Sequence, residues 1–171
     1  MLGRMIVSLV GFYLFAIGYL YVTQEDQVFN AKMLVVKEQA IEGEGIEAIS
    51  FDVDGARLKG LVRKTDEKAP LILYFGGNAD DAREFVRVTR PLMGYDIVTL
   101  NYRGYVESSG TPSEKALYKD ALAQYDTFVK GRDVIVVGRS LGTGVATYVA
   151  AQREVKGLVL ITPYDSILSM A

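Results

Sequence analysis

The sequence predicts an α/β fold: a mostly parallel sheet with helices on both faces, preceded by an apolar N-terminal span. Three observations carry this. From about residue 46 onward, short apolar runs of strand length alternate with longer amphipathic stretches, the signature of repeated β-α units. An Asp54-Gly55 pair separates two alternating segments, as in a two-residue hairpin. Finally, the glycine-flanked turn Gly138-Arg139-Ser140-Leu141-Gly142 joins an apolar run to a helical stretch.

At 171 residues, half of them hydrophobic and 23% charged, the chain can build one domain with a sizeable core and does not read as disordered. A formal net charge of -2 gives no electrostatic case for a nucleic-acid partner. Cysteine and histidine are both absent, which excludes disulfides and metal sites built on thiolate or imidazole. Carboxylate sites remain open in principle, but no calcium-loop spacing occurs, and no cofactor is expected.

Residues 5–24 carry no charged side chain and are rich in large apolar groups such as Ile6, Leu9, Phe12, Phe15 and Leu20. As a helix they would span about 30 Å, the thickness of a bilayer core. Tyr19 and Tyr21 sit where interfacial aromatics belong, and Arg4 before the span with Glu25 and Asp26 after it favours an N-terminus in the cytoplasm. The favoured reading is a single-pass anchor at residues 1–24, with the rest of the chain outside the cytoplasm. A cleaved signal ending near Ala16-Ile17-Gly18, which would make the protein secreted, and a buried core helix are the alternatives.

Residues 25–45 read as a connector, with Glu42-Gly43-Glu44-Gly45 as its most flexible stretch. The domain, residues 46–171, starts with Ile49, Phe51 and Val53 on one face of a strand, and Leu58 and Val62 continue on the return strand. Residues 71–75 form an apolar run suited to a strand buried on both faces. Gly76-Gly77-Asn78 follows as a loop, and a helix is expected over residues 79–90, with Asp80 and Asp81 in its first turn beside the positive end of the dipole. Residues 95–100 read as a strand. Thr111-Pro112-Ser113-Glu114 reads as a capping box with Thr111 as N-cap, and Leu117, Ala121, Tyr125 and Phe128 mark the apolar stripe of the helix it opens. A strand at 134–137, a helix at 141–153 and a strand at 158–161 complete the order.

The chemistry centres on Ser140. G-x-S-x-G between an apolar strand and a helix is the nucleophile elbow, a sharp turn that exposes a serine hydroxyl at the top of a sheet. The turn crowds the positions two before and two after the serine, which Gly138 and Gly142 relieve. It also places Ser140 at a helix N-terminus, where free N–H groups favour a developing oxyanion. The competing reading is a glycine turn that only packs or cradles a phosphate. Neither the dinucleotide fingerprint nor the P-loop spacing is present, which counts against nucleotide binding. Gly76-Gly77-Asn78 lies where a second oxyanion donor would come from, and reads equally well as an ordinary tight turn.

With these residues in order, the chain resembles the α/β-hydrolase superfamily, in the branch of membrane-anchored serine hydrolases that includes protein depalmitoylases and lysophospholipid lipases. Leu73-Tyr74-Phe75-Gly76-Gly77-Asn78-Ala79 stands where relatives usually carry F-H-G-N-A. Asn101-Tyr102-Arg103-Gly104-Tyr105, Ser109-Gly110-Thr111-Pro112-Ser113-Glu114, the stretch from Gly138 to Gly144, and Thr162-Pro163-Tyr164-Asp165-Ser166 are the other matching segments. The resemblance implies Ser140 as nucleophile and the backbone N–H groups of Leu141 and Asn78 as oxyanion hole. The substrate it implies is an acyl ester, thioester or amide. Gly76 in place of His and Val106 in place of Gly are minor departures.

One departure is decisive. A serine nucleophile needs a general base, histidine is the usual one, and this sequence has none. In this fold the triad runs Ser, then Asp or Glu, then His. The resemblance places the last two beyond the strands present, and makes Asp165 a loop or helix-capping carboxylate. The expectation is therefore the N-terminal part of an α/β-hydrolase domain, incomplete at its C-terminus and of low activity alone. Two alternatives compete: a catalytically inactive, membrane-anchored binding or regulatory protein that keeps the elbow as scaffold, and a Ser-Lys hydrolase with a lysine such as Lys156 as base.

Overall fold

The computed structural model describes residues 2–29, 43–66, 68–78 and 80–164. The chain divides into two compact units, residues 1–30 and 31–171. The first is α1 (Leu2–Val28), a helix long and apolar enough to cross a membrane, with none of its residues buried. It runs on through Glu25, Asp26 and Gln27, which the sequence assigns to the connector. Residues 30–42 of that connector, Ala79, Asp165 and the expected start of a helix after it lie outside the described residues.

The second unit begins with β1 (Ile46–Val53) and β2 (Ala56–Arg63), paired antiparallel in register from Ile46 opposite Arg63 to Val53 opposite Ala56. Asp54 and Gly55 both have positive φ, 45° and 74°, as a two-residue hairpin turn requires. Then follow β3 (Leu71–Phe75), α2 (Glu84–Val88), β4 (Asp96–Leu100), α3 (Glu114–Phe128), β5 (Val134–Arg139), α4 (Leu141–Gln152) and β6 (Gly157–Ile161). Together the strands form one six-stranded sheet in the order β1-β2-β4-β3-β5-β6. From β4 to β6 all pairs are parallel, and β2 joins β4 antiparallel.

Alternation along the strands sends side chains to two cores. Ile72, Tyr74, Ile97 and Val137 face one side, where Ala82 and Val86 of the α2 region pack on them. On the other side Leu58 and Leu100 meet Phe128 of α3, and Gly138 lets α4 approach β5 closely at Ala146. Every residue of β3 is buried, as its uninterrupted apolar run demands. β6 occupies one edge of the sheet, and its Leu158, Val159, Leu160 and Ile161 are each 38–46% exposed.

Two local expectations need correction. The helix foreseen over 79–90 is regular only over Glu84–Val88, because Asp80 and Asp81 are engaged in tertiary bonds instead of heading a helix. The N-cap of α3 is Ser113, whose backbone is extended and whose hydroxyl accepts the Ala116 N–H at 3.3 Å; Thr111 lies outside the helix. Both positions satisfy the local rule for a cap, and the close packing of Pro112 on Gly104 accompanies the later start.

Candidate active site

The parallel strands β4, β3, β5 and β6 all point their C-terminal ends to one pole. Between β3 and β5 the chain order reverses, the switch point where α/β sheets open a crevice for ligands. Four loops converge at this pole: those after β3, β4 and β6, and the β5–α4 turn that holds Ser140.

Ser140 has φ 47° and ψ -118°, a backbone conformation that L-residues avoid. Three bonds hold it there. Its N–H donates to the Ile161 carbonyl at 2.9 Å, and its carbonyl accepts from the Thr143 N–H at 2.8 Å and the Thr143 hydroxyl at 2.6 Å. The Ser140 hydroxyl makes no capping bond to α4. The flanking glycines are steric necessities. A Cβ on Gly138 would stand 2.3 Å from the Gly142 carbonyl oxygen, and one on Gly142 would stand 2.1 Å from that of Phe75. Both clashes are with backbone, which cannot swing away.

The Gly76-Gly77-Asn78 loop lies against this turn. Gly76 and Gly77 are buried, Asn78 is exposed, and a Cβ on Gly77 would sit 3.4 Å from the Ser140 Cβ. Leu141 follows Ser140 at the buried N-terminus of α4, with Tyr164 donating to its carbonyl at 3.4 Å. The structure thus brings all five sequence-derived residues, Ser140, Leu141, Asn78, Gly138 and Gly142, to one end of the sheet. Lys156 is at the other. Its N–H bonds the Val134 carbonyl at the start of β5 and its ammonium faces Asp133 at 3.6 Å, about 20 Å from Ser140 at the rise of a strand. A base role for Lys156 is therefore ruled out by geometry.

Four side chains at the pole escaped sequence reasoning. Asp80 Oδ2 accepts three donors: the Gly77 N–H at 3.2 Å, the Tyr74 hydroxyl at 3.2 Å and the Arg139 guanidinium at 3.0 Å. The Tyr102 hydroxyl donates to the Gly76 carbonyl at 2.9 Å, and the Tyr105 hydroxyl to Asn78 Oδ1 at 2.7 Å. Burial raises the Tyr102 phenol well above its ordinary range and pushes Tyr105 up to about 12, so both remain protonated donors at neutral pH. The facing charge of Asp80 holds Arg139 above its usual value. The resemblance singled out Tyr102 and Tyr105 without giving them a task, the local pattern gave Asp80 only a place at the head of a helix, and Arg139 is an unspecified position of the elbow. Among the described residues no group of His, Cys, Asp or Glu is placed to hold a metal ion.

A serine pinned in a forbidden backbone region at a strand-helix junction, facing a glycine loop from the adjacent strand, defines the class of nucleophile-elbow α/β proteins. Comparison with known proteins reaches the same class and narrows it. Residues 70–171 match the family model of the alpha/beta hydrolase fold, and the chain belongs to that family. The lysophosphatidylserine lipase ABHD12 of Rattus norvegicus is 41% identical over 112 residues, covering 57% of this chain and 28% of that protein. The alpha/beta hydrolase domain-containing protein WAV2 of Arabidopsis thaliana is 34% identical over 130 residues, covering 69% of this chain and 42% of that protein. The chain therefore spans less than half the length of these curated relatives. Among solved structures, an alpha-beta hydrolase from Vibrio vulnificus aligns with a TM-score of 0.65 and 27% identity over 79% of this chain and 55% of that one. Epoxide hydrolase VrEH1 from Vigna radiata, at 20% identity and a TM-score of 0.60 over 73% of this chain and 41% of that one, shares the fold alone.

Proposed function

We propose that this chain carries the nucleophile and oxyanion hole of a membrane-anchored serine hydrolase that cleaves an acyl ester, thioester or amide. The observation that supports it best is the forbidden backbone of Ser140, φ 47° and ψ -118°, since strain of this kind persists where function requires it. Ser140 Oγ attacks the acyl carbonyl and the leaving group departs, forming an acyl-enzyme that water then hydrolyses. The backbone N–H groups of Leu141 and Asn78 stabilise the oxyanion formed in each step. The general base comes from outside residues 1–171, which hold no histidine. Lipid esters are the first substrates to try, because a relative at 41% identity is a lipase by name. The helix Leu2–Val28 serves as a single-pass anchor with the hydrolase domain on the extracytoplasmic side.

The test is Ser140-dependent turnover by the native protein in membranes, with lysophospholipids of different headgroups and with p-nitrophenyl acyl esters. Loss of turnover in Ser140→Ala supports the reading; equal turnover in wild type and Ser140→Ala sinks it. A catalytically silent binding protein is the second reading, favoured by the histidine-free sequence. Its outcome would be saturable binding of an acylated ligand with no hydrolysis of it.

A further inference from the structure

Two consecutive glycines make an unreliable support for an oxyanion hole. The Gly76–Gly77 peptide has no side chain on either flank to resist rotation, and glycine accepts nearly any φ. Yet this peptide unit is held at both ends. Its carbonyl, the Gly76 oxygen, accepts from the Tyr102 hydroxyl at 2.9 Å, and its N–H, on Gly77, donates to Asp80 Oδ2 at 3.2 Å. The next residue is held through its side chain, with Asn78 Oδ1 accepting from Tyr105 at 2.7 Å.

The three gripping residues are themselves fixed. Tyr102 is 5% and Tyr105 0% exposed, with their rings edge-to-face at 5.7 Å. Asp80, its side chain 19% exposed, is bonded by Tyr74, whose ring stacks on Phe85 at 3.9 Å, and by Arg139, the residue before the serine. The Arg139 bond links the loop after β3 to the elbow after β5 directly. Asp80 also brings a negative charge close to where an oxyanion would form, and Arg139 neutralises it.

We infer that Tyr102, Tyr105 and Asp80 form a three-point clamp, completed by Arg139, that sets residues 76–78 in register with Ser140. They are positioning residues: none is placed to react with substrate. The clamp's contribution to catalysis rests on the hydrolase reading above, whereas its hold on the loop does not. A clamp that acts on an oxyanion hole changes the transition state more than the bound substrate, so its loss should lower kcat and leave KM nearly unchanged.

Hydrogen exchange, read by mass spectrometry on the full chain in detergent micelles, separates these two claims. In wild type, exchange of the Gly77 N–H within residues 76–78 should be slow. Tyr102→Phe, which keeps the buried ring, and Asp80→Ala should each speed it by about fivefold, the factor associated with losing one net hydrogen bond. Asp80→Asn, which retains an acceptor for the Gly77 N–H, should recover part of the protection, and exchange in the β1–β2 hairpin should stay unchanged in all three. Unaltered exchange at 76–78 in both Tyr102→Phe and Asp80→Ala overturns the clamp, whatever the turnover. Turnover measured on the native membrane protein should fall about tenfold in kcat for Tyr102→Phe with KM within about twofold, as for a weakened oxyanion hole. Faster exchange with unchanged kcat overturns the positioning role. Should wild type show no Ser140-dependent turnover, the hydrolase reading fails, and exchange alone decides whether the loop is clamped.

Discussion

Replacing Ser140 by glycine should make the protein more stable while removing its nucleophile. At φ 47° and ψ -118°, the serine Cβ occupies a region that costs about 1–3 kcal/mol for a residue with a side chain. Glycine removes that cost and adds back about 0.5–1 kcal/mol through the greater freedom of its unfolded chain. Taken from the middle of these ranges, the net gain is about 1 kcal/mol. The bonds that fix the turn, from the Ser140 N–H to Ile161 and from Thr143 to the Ser140 carbonyl, use backbone atoms of residue 140 and survive the change. Ser140→Ala is the matched control, since it loses the hydroxyl but keeps the Cβ and its strain. Urea unfolding in mild detergent, followed by tyrosine fluorescence because the chain has no tryptophan, measures the difference. A gain of that size corresponds to a midpoint rise of about 2–6 °C on heating for a domain of this size. A glycine variant no more stable than the alanine variant would refute the claim that strain is stored at the elbow.

Other consequences follow from single contacts. Gly142→Ala would force a Cβ to within 2.1 Å of the Phe75 oxygen and 2.5 Å of the Gly76 oxygen, so thermal unfolding should show a loss of about 2–3 kcal/mol. Gly144→Ala meets the Tyr164 hydroxyl at 2.7 Å, the end of a side chain that can turn away, and should cost less than about 1 kcal/mol. Ser113→Ala should cost about 1 kcal/mol by removing the α3 cap, and Thr111→Ala almost nothing, which reverses the expectation drawn from sequence. Asp96 supplies a pH signature. Burial pushes its carboxyl upward, but the Thr65 N–H at 2.7 Å and Arg132 at 2.7 Å outweigh that and hold it below the usual carboxylate range. The unfolded chain therefore takes up the proton first. The Asp96 contribution is complete above the ordinary value near ~4 and fades as pH falls through the lower folded one. Asp96→Asn should thus destabilise by about 1–2 kcal/mol at pH 7, and unfolding curves of variant and wild type should converge as pH falls below the ordinary carboxylate range.

What could be read from sequence was what local rules decide. Asp54-Gly55 announces its hairpin because few other pairs accept positive φ at both positions. The apolar run of β3 needs burial on both faces, and Gly138 and Gly142 stand where only a missing Cβ lets α4 and β3 approach. What escaped depends on long-range partners. Asp80 looks like a helix-opening acid, yet it reaches Arg139, 59 positions away, and the helix starts later as a result. Tyr102 and Tyr105 carry no periodicity that predicts a hydrogen bond to Gly76 or Asn78. Only the sheet order, which sets β4 beside β3 and β3 beside β5, brings these residues together. Elements follow from pattern, whereas the placement of functional loops follows from topology.

The most direct test of the account is covalent capture of Ser140 in the native protein. Membranes from cells that make it would be treated with an alkyl fluorophosphonate, and the tryptic peptide of residues 140–153, released by cleavage after Arg139 and Arg153, would be read by mass spectrometry. The account predicts a phosphonyl adduct on Ser140 that is lost when the sample is denatured before labelling. An unmodified peptide, in a sample where other serine hydrolases are labelled to completion, would contradict it and leave the elbow as the scaffold of a binding protein.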